Sequence, residues 1–105
     1  MEIIDYEKYL INQLFTNPEA RDKLYSFLDP TFFDDEFKHS TLVKKFMEFK
    51  STYNSYPTPR ELLTTIQDQA TFDCLKSIMT YELKEENPRF LQEEAAEFFR
   101  QKMLM

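Results

Sequence analysis

Thr58-Pro59-Arg60-Glu61-Leu62-Leu63 reads as the start of a helix. A threonine at the cap accepts from the backbone three residues on. The glutamate at that position reaches back to the cap's own N–H, and proline sits where a helix has no N–H to satisfy. Just before it, Ser55-Tyr56-Pro57 ends the preceding segment, since a residue ahead of proline avoids helical backbone angles. That segment carries Leu42, Val43, Phe46, Phe49 and Tyr53 on one continuous helical stripe, so a long helix over roughly 35–54 is expected, at the centre of the fold.

The same grammar extends in both directions. Toward the N-terminus, 3–16 places Ile3, Tyr6, Leu10 and Leu14 on one face, widened by Ile11 and Phe15. Asn17-Pro18-Glu19 is a cap, a first-turn proline and a first-turn acid. The helix it opens should bury Ala20, Leu24 and either Phe27 or Leu28 before Asp29-Pro30 stops it. Phe32, Phe33 and Phe37 follow in a short connection or single helical turn. Toward the C-terminus, a break at 68–71 precedes a fifth helix with Phe72, Leu75, Ile78, Met79 and Leu83. Asn87-Pro88 opens a sixth, with Leu91, Ala95 and Phe98 inward. Its acids Glu93, Glu94 and Glu97 come early and Arg100 and Lys102 late, which complements the helix dipole. No period-2 run occurs, so residues 1–105 are expected to form one all-α domain, a bundle of about six helices.

The 105 residues include no glycine. Loops that cradle phosphates need glycine, so neither a P-loop nor a dinucleotide-binding turn can be built, and kinase, P-loop ATPase and Rossmann dehydrogenase chemistry is excluded for this chain. Helix-to-helix turns must rely on Pro, Asn and Asp. With 13 basic against 19 acidic residues the net charge is −6, a poor basis for gripping nucleic-acid phosphates. Hydrophobic residues at 42% suffice for a core. The lone Cys74 fits a small buried hydrophobe in a reducing cytoplasm. The N-terminus lacks the pattern of a signal peptide, and no stretch nears the roughly 20 apolar residues of a membrane span.

Catalytic constellations are thin. Asp35 and His39 are spaced to share a helical face as a metal pair, beside Asp34 and Glu36. The simpler reading makes the acids a helix start and His39 a surface polar residue. His39 is also the only base of its kind for a nucleophile such as Ser40 or Thr41, which read more simply as cap or surface hydroxyls. Nineteen acids allow many carboxylate pairs, and none stands out. The aromatic stripes read as core rather than as base-stacking platforms. Tyr56, Tyr81, Phe90 and Phe99 fall off those stripes and are candidate partner contacts.

Several of these segments, taken in order, resemble the N-terminal domain of DnaB-type replicative helicases. Glu7-Lys8-Tyr9-Leu10-Ile11-Asn12-Gln13-Leu14 is similar to the family's opening E-x-x-[VL]-[LI]-x-x-L. Asn17-Pro18-Glu19-Ala20 is similar to its D-P-E-A turn, and Leu28-Asp29-Pro30-Thr31-Phe32-Phe33 to its L-x-x-x-x-F-[YF]. His39 lies near a histidine common in the family's third helix, and Tyr56-Pro57-Thr58-Pro59 sits where the family has a V-P-[ST] turn. Phe98-Phe99-Arg100-Gln101-Lys102-Met103 resembles the helix entering the family's helical hairpin. Asn12 stands where cellular members usually carry glycine, which implies looser helix packing there. The absence of glycine looks most like phage-encoded members.

The resemblance implies a non-catalytic collar domain of a hexameric ring, often a trimer of dimers, that couples the ring to primase and sometimes to a loader. ATP and magnesium would belong to a separate motor domain, with no cofactor, little direct DNA binding and no membrane contact here, and the setting would be the cytoplasm. The chain ends on Met103-Leu104-Met105 without a stop signal, as a helix cut short would. Phe99, Lys102, Met103, Leu104 and Met105 are therefore the expected self-association or partner contacts, partly exposed. Three other readings compete: the helicase-binding domain of a DnaG-type primase, whose chain order fits less well; a small phage nucleic-acid-binding regulator, disfavoured by the charge; and a small enzyme of unrecognised type, resting on the thin constellations above.

Overall fold

Helix α1 (Ile3–Thr16) ends where Asn17 leaves helical geometry, and α2 (Pro18–Leu24) begins at once. The Asn17 side chain accepts from Ala20 N at 3.2 Å and donates to Gln13 Oε1 at 3.1 Å, so one residue caps the second helix and ties it back to the first. A 3-10 turn at Tyr25–Phe27 continues α2, and a second at Pro30–Phe32 is capped by Asp29, which accepts from Thr31 N at 2.9 Å. The computed structural model describes residues 3–80 and 88–103, and in them the chain continues as α3 (His39–Tyr53), α4 (Pro59–Leu63), α5 (Gln69–Met79) and α6 (Pro88–Met103). No strand occurs among the described residues. The architecture is an all-α bundle with a radius of gyration of 12.8 Å, the size a folded chain of this length should have.

The capping box forms in full at α4. Glu61 N donates to Thr58 Oγ1 at 3.1 Å and Thr58 N to Glu61 Oε1 at 3.0 Å, which lets a helix of only five residues seat Leu62 completely inside. At α5 the expected break is instead a cap. Asp68 accepts from Thr71 N at 2.9 Å and Thr71 Oγ1 at 2.7 Å, so residues 69–71 form the helix's first turn. The reason is local: the threonine three residues after an aspartate can satisfy it twice. Those bonds hold the Asp68 carboxyl below its usual range. Leu83, Tyr81 and Asn87 lie outside the described residues.

α3 starts four residues later than the aromatic stripe suggested. Residues 34–38 form a turn, and Lys38 enters the helix with φ 69°, while Asn54 leaves it with φ 56°. Both take the left-handed conformation that glycine usually fills, and asparagine tolerates it better than lysine does. Along α3, Leu42, Val43 and Phe46 are buried, but the stripe fades to Phe49, half-buried, and Tyr53, which is 65% exposed.

The most enclosed helix is α1. Tyr9, Leu10, Ile11 and Leu14 are core, and so are the polar Glu7, Asn12 and Gln13. It packs against α2, α3 and α5, so it shares the central place expected of α3. Asn12 does not loosen its surroundings: its Nδ2 donates to the Ile78 carbonyl of α5 at 3.0 Å, replacing a close backbone approach with a buried hydrogen bond.

Phe46 joins α3 to Phe15, Tyr25 and Tyr56 by ring contacts of 5.3 to 6.4 Å. Phe46→Ala should lower stability by about 3–5 kcal/mol in denaturant melts; a loss near zero would show that the core closes without it. Lys38→Gly should raise stability by about 1 kcal/mol, because glycine takes the left-handed angle without a Cβ clash, and the same melts would read the gain.

Candidate functional site

His39 is not on the surface. It is 0% exposed, at the first turn of α3, and its Nδ1 lies 3.0 Å from Oε1 of Glu7, itself 0% exposed on α1. The same Glu7 oxygen accepts from Asp34 N at 2.7 Å. A carboxylate only accepts, so the imidazole proton sits on Nδ1 and points at Glu7. His39 Nε2 is buried with no hydrogen-bond partner among the described residues. Asp34 completes the turn: its carboxylate accepts from Phe37 N and its carbonyl from Ser40 N at 2.9 Å. Asp35, the proposed metal partner of His39, is exposed, and no group of three metal-ligating side chains occurs among the described residues.

A 320 Å³ cleft opens beside His39, walled by Lys8, Phe37 and Lys38 on one side and by Asp73, Cys74 and Ser77 of α5 on the other. Burial pushes the Cys74 thiol up, with Lys8 opposing weakly. The thiol is thus held protonated, the opposite of what an activated nucleophile needs. Phe37, at 51% exposure, stands at the rim.

The C-terminal contact residues need correction at the one position whose side chain the structure describes. Phe99 is 3% exposed and stacks on Phe32 at 5.5 Å and against Phe33 at 5.9 Å. Ala95 and Phe99 are one turn apart and both face inward, which leaves Phe98 half-buried, tilted against Tyr6 at 5.0 Å. The unassigned Phe32 and Phe33 supply the missing partners for α6. Burial first, and then the Glu94 carboxylate, push the Tyr6 hydroxyl far above its ordinary range, so it stays protonated where α1 meets α6. Leu104, Met105 and the side chains of Lys102 and Met103 lie outside the described residues.

Of the other aromatics singled out from the sequence, Phe90 is 54% exposed and Tyr81 is outside the described residues. Tyr56 is half-buried. It stacks on Phe46 at 5.8 Å, meets Tyr25 edge-on at 5.3 Å, and has the Arg21 guanidinium 4.4 Å and the Lys50 ammonium 4.9 Å from its ring centre. Burial pushes its hydroxyl up, Asp22 adds to this, and Arg21 opposes. Sequence reasoning missed both the Glu7–His39 pair and this cationic cluster. The first joins residues 32 positions apart and the second brings Arg21 to Lys50 and Tyr56, and the turns at Asn17, at 35–38 and at Asn54 bring them together.

Glu7→Ala should cost about 3 kcal/mol, because it leaves two donors, His39 Nδ1–H and Asp34 N–H, without their acceptor. Glu7→Gln should cost less, since an amide oxygen still accepts. Chemical denaturation of the two variants beside the parent checks the order.

Set against known proteins, the chain matches no family model, no curated protein and no solved structure.

Proposed function

We propose that this chain is a non-catalytic assembly and protein-interaction domain of a replicative DNA helicase, of the DnaB-type N-terminal kind, acting in ring formation and in coupling to primase or a loader. The observation that carries the reading is the Glu7–His39 contact at 3.0 Å. The resemblance includes Glu7 in the opening pattern, and His39 lies near a histidine common in the family's third helix; in this chain the two meet in the core. The break at Asn17-Pro18 and the capped turn at Thr58-Pro59 likewise fall at helix junctions, where the resemblance has its turns. The protonated Cys74 thiol and the acidic net charge fit a domain whose work is done through contact with other proteins.

The reading is tested by sedimentation and calorimetry with the intact chain. Mixed with the primase or loader encoded by the same genome, it should form a complex at micromolar concentration. Titration with ATP and magnesium should give no heat of binding, and single-stranded DNA should bind weakly at physiological salt. Tight, salt-sensitive DNA binding with no complex formed by either protein would overturn the proposal in favour of the regulator.

A further inference from the structure

Three cations on one side of the molecule have no ion-pair partner among the described residues: Arg21 on α2, and Lys44 and Lys50 on α3. Arg21 and Lys50 both lie over the Tyr56 ring, 4.4 Å and 4.9 Å from its centre. Both cations therefore sit at one aromatic ring, where either can meet an incoming anion. Arg21 Nε is buried with no acceptor, so the ring contact rather than a hydrogen bond fixes the guanidinium. The nearby acid, Asp22, acts on the Tyr56 hydroxyl and forms no salt bridge with either cation.

Tyr25 links this cluster to an open groove of 410 Å³. The ring that meets Tyr56 edge-on also lines the groove, together with Pro30, Met47 and the stem of Lys44, and Glu48 and Ser51 close its α3 side. Lys44, Met47, Glu48 and Ser51 recur at helical spacing, so the groove runs along α3. It offers a largely apolar seat beside a pair of fixed cations.

We propose that this face docks an acidic peptide segment of a partner protein, with a carboxylate held by Arg21 and Lys50 and a neighbouring apolar side chain seated in the groove against Tyr25 and Met47. Charge decides the occupant. A nucleic-acid strand needs a row of cations along its phosphates, and this face offers a short cluster beside an apolar groove instead. One or two carboxylates match two cations, and a guanidinium already stacked and immobile loses little freedom on forming a paired hydrogen bond. Arginine and tyrosine are the residues that most often anchor such contacts. The inference stands on this geometry alone and would survive failure of the helicase reading.

The test uses the whole chain and a fluorescein-labelled peptide in which a leucine is flanked by pairs of glutamates, followed by anisotropy. Binding should be in the micromolar range and weaken with added salt. Lys50→Gln should weaken it several-fold and Arg21→Gln about tenfold. Arg21→Lys should fail to restore it, because an ammonium can neither stack flat nor pair two oxygens. Met47→Asp should weaken it while leaving the cations in place. Thermal melting run in parallel confirms that each variant is folded, and Lys50→Gln, at a half-exposed position, keeps the test decisive if Arg21 variants unfold. The proposal is overturned if a peptide with serine in place of leucine binds equally well, if inorganic phosphate at millimolar concentration displaces the peptide completely, if a single-stranded oligonucleotide binds more tightly than the peptide, or if the Lys50 and Met47 variants bind like the parent.

Discussion

A glutamate carboxylate on the first helix, sealed from solvent, dictates how the rest of the chain must arrange itself. Taking a carboxylate out of water costs several kcal/mol unless donors meet it. Glu7 is met by Asp34 N at 2.7 Å and His39 Nδ1 at 3.0 Å, both on the turn that leads into α3. That turn cannot drift without orphaning the carboxylate, so α3 is fixed in position and rotation against α1. The same logic repeats along α1: Asn12 is answered by the Ile78 carbonyl of α5, and Gln13 by Asn17 at the head of α2. Three buried polar side chains on one helix thus specify three neighbours. The apolar residues between them, Leu10, Ile11 and Leu14, supply the driving force without that directional choice.

The turn that Glu7 holds also bears the strain of a chain without glycine. Lys38 sits at φ 69°, a position most proteins would fill with glycine, and its conformation is sustained by its surroundings. Asp34 accepts from Phe37 N, and the Lys38 carbonyl accepts from Leu42 N at 3.0 Å. The consequence is a rigid corner that leaves Phe37 half out in solvent above the cleft next to Cys74. Asn54, at the other end of α3, solves the same problem with a residue suited to it.

What the sequence made legible was whatever is encoded within a few residues. Helix starts at Pro18, Pro59 and Pro88 were readable because cap and proline chemistry is local, and the inner faces of α1 and α5 because one apolar stripe dominates each. The polar core was not readable. Glu7, Asn12 and Gln13 look in sequence like the solvated side of an amphipathic helix, and only the partners that cover them, all distant in the chain except Asn17, reveal otherwise. Phe99 was misplaced for the same reason. Phe98 and Phe99 are adjacent on α6, and Phe99 is the one sealed, by Phe32 and Phe33 on a segment whose structure the sequence left open. Tyr56 was singled out correctly as off-stripe, but its cations come from α2 and α3 and could not be assigned to it in advance.

These placements shift where contact with other molecules has to be sought. With Phe99 locked beneath Phe32 and Phe33, the outward face of this part of α6 is polar: Glu97 pairs with Arg100, and Gln101 reaches back to Glu97. Exposed pairs of this kind contribute little energy and are easily exchanged for solvent. Among the described residues, α3 carries surfaces that combine apolar area with charge. One end of that helix carries the strained corner with Phe37, and the middle carries Met47 beside the Arg21–Tyr56–Lys50 cluster. Glu7 and His39 tie α3 to α1, so both surfaces are carried on a hydrogen-bonded helix, and a preorganised surface keeps the entropic cost of binding low. The buried Glu7–His39 hydrogen bond thereby links the stability of the fold to its exterior: what holds the bundle together also positions the docking face.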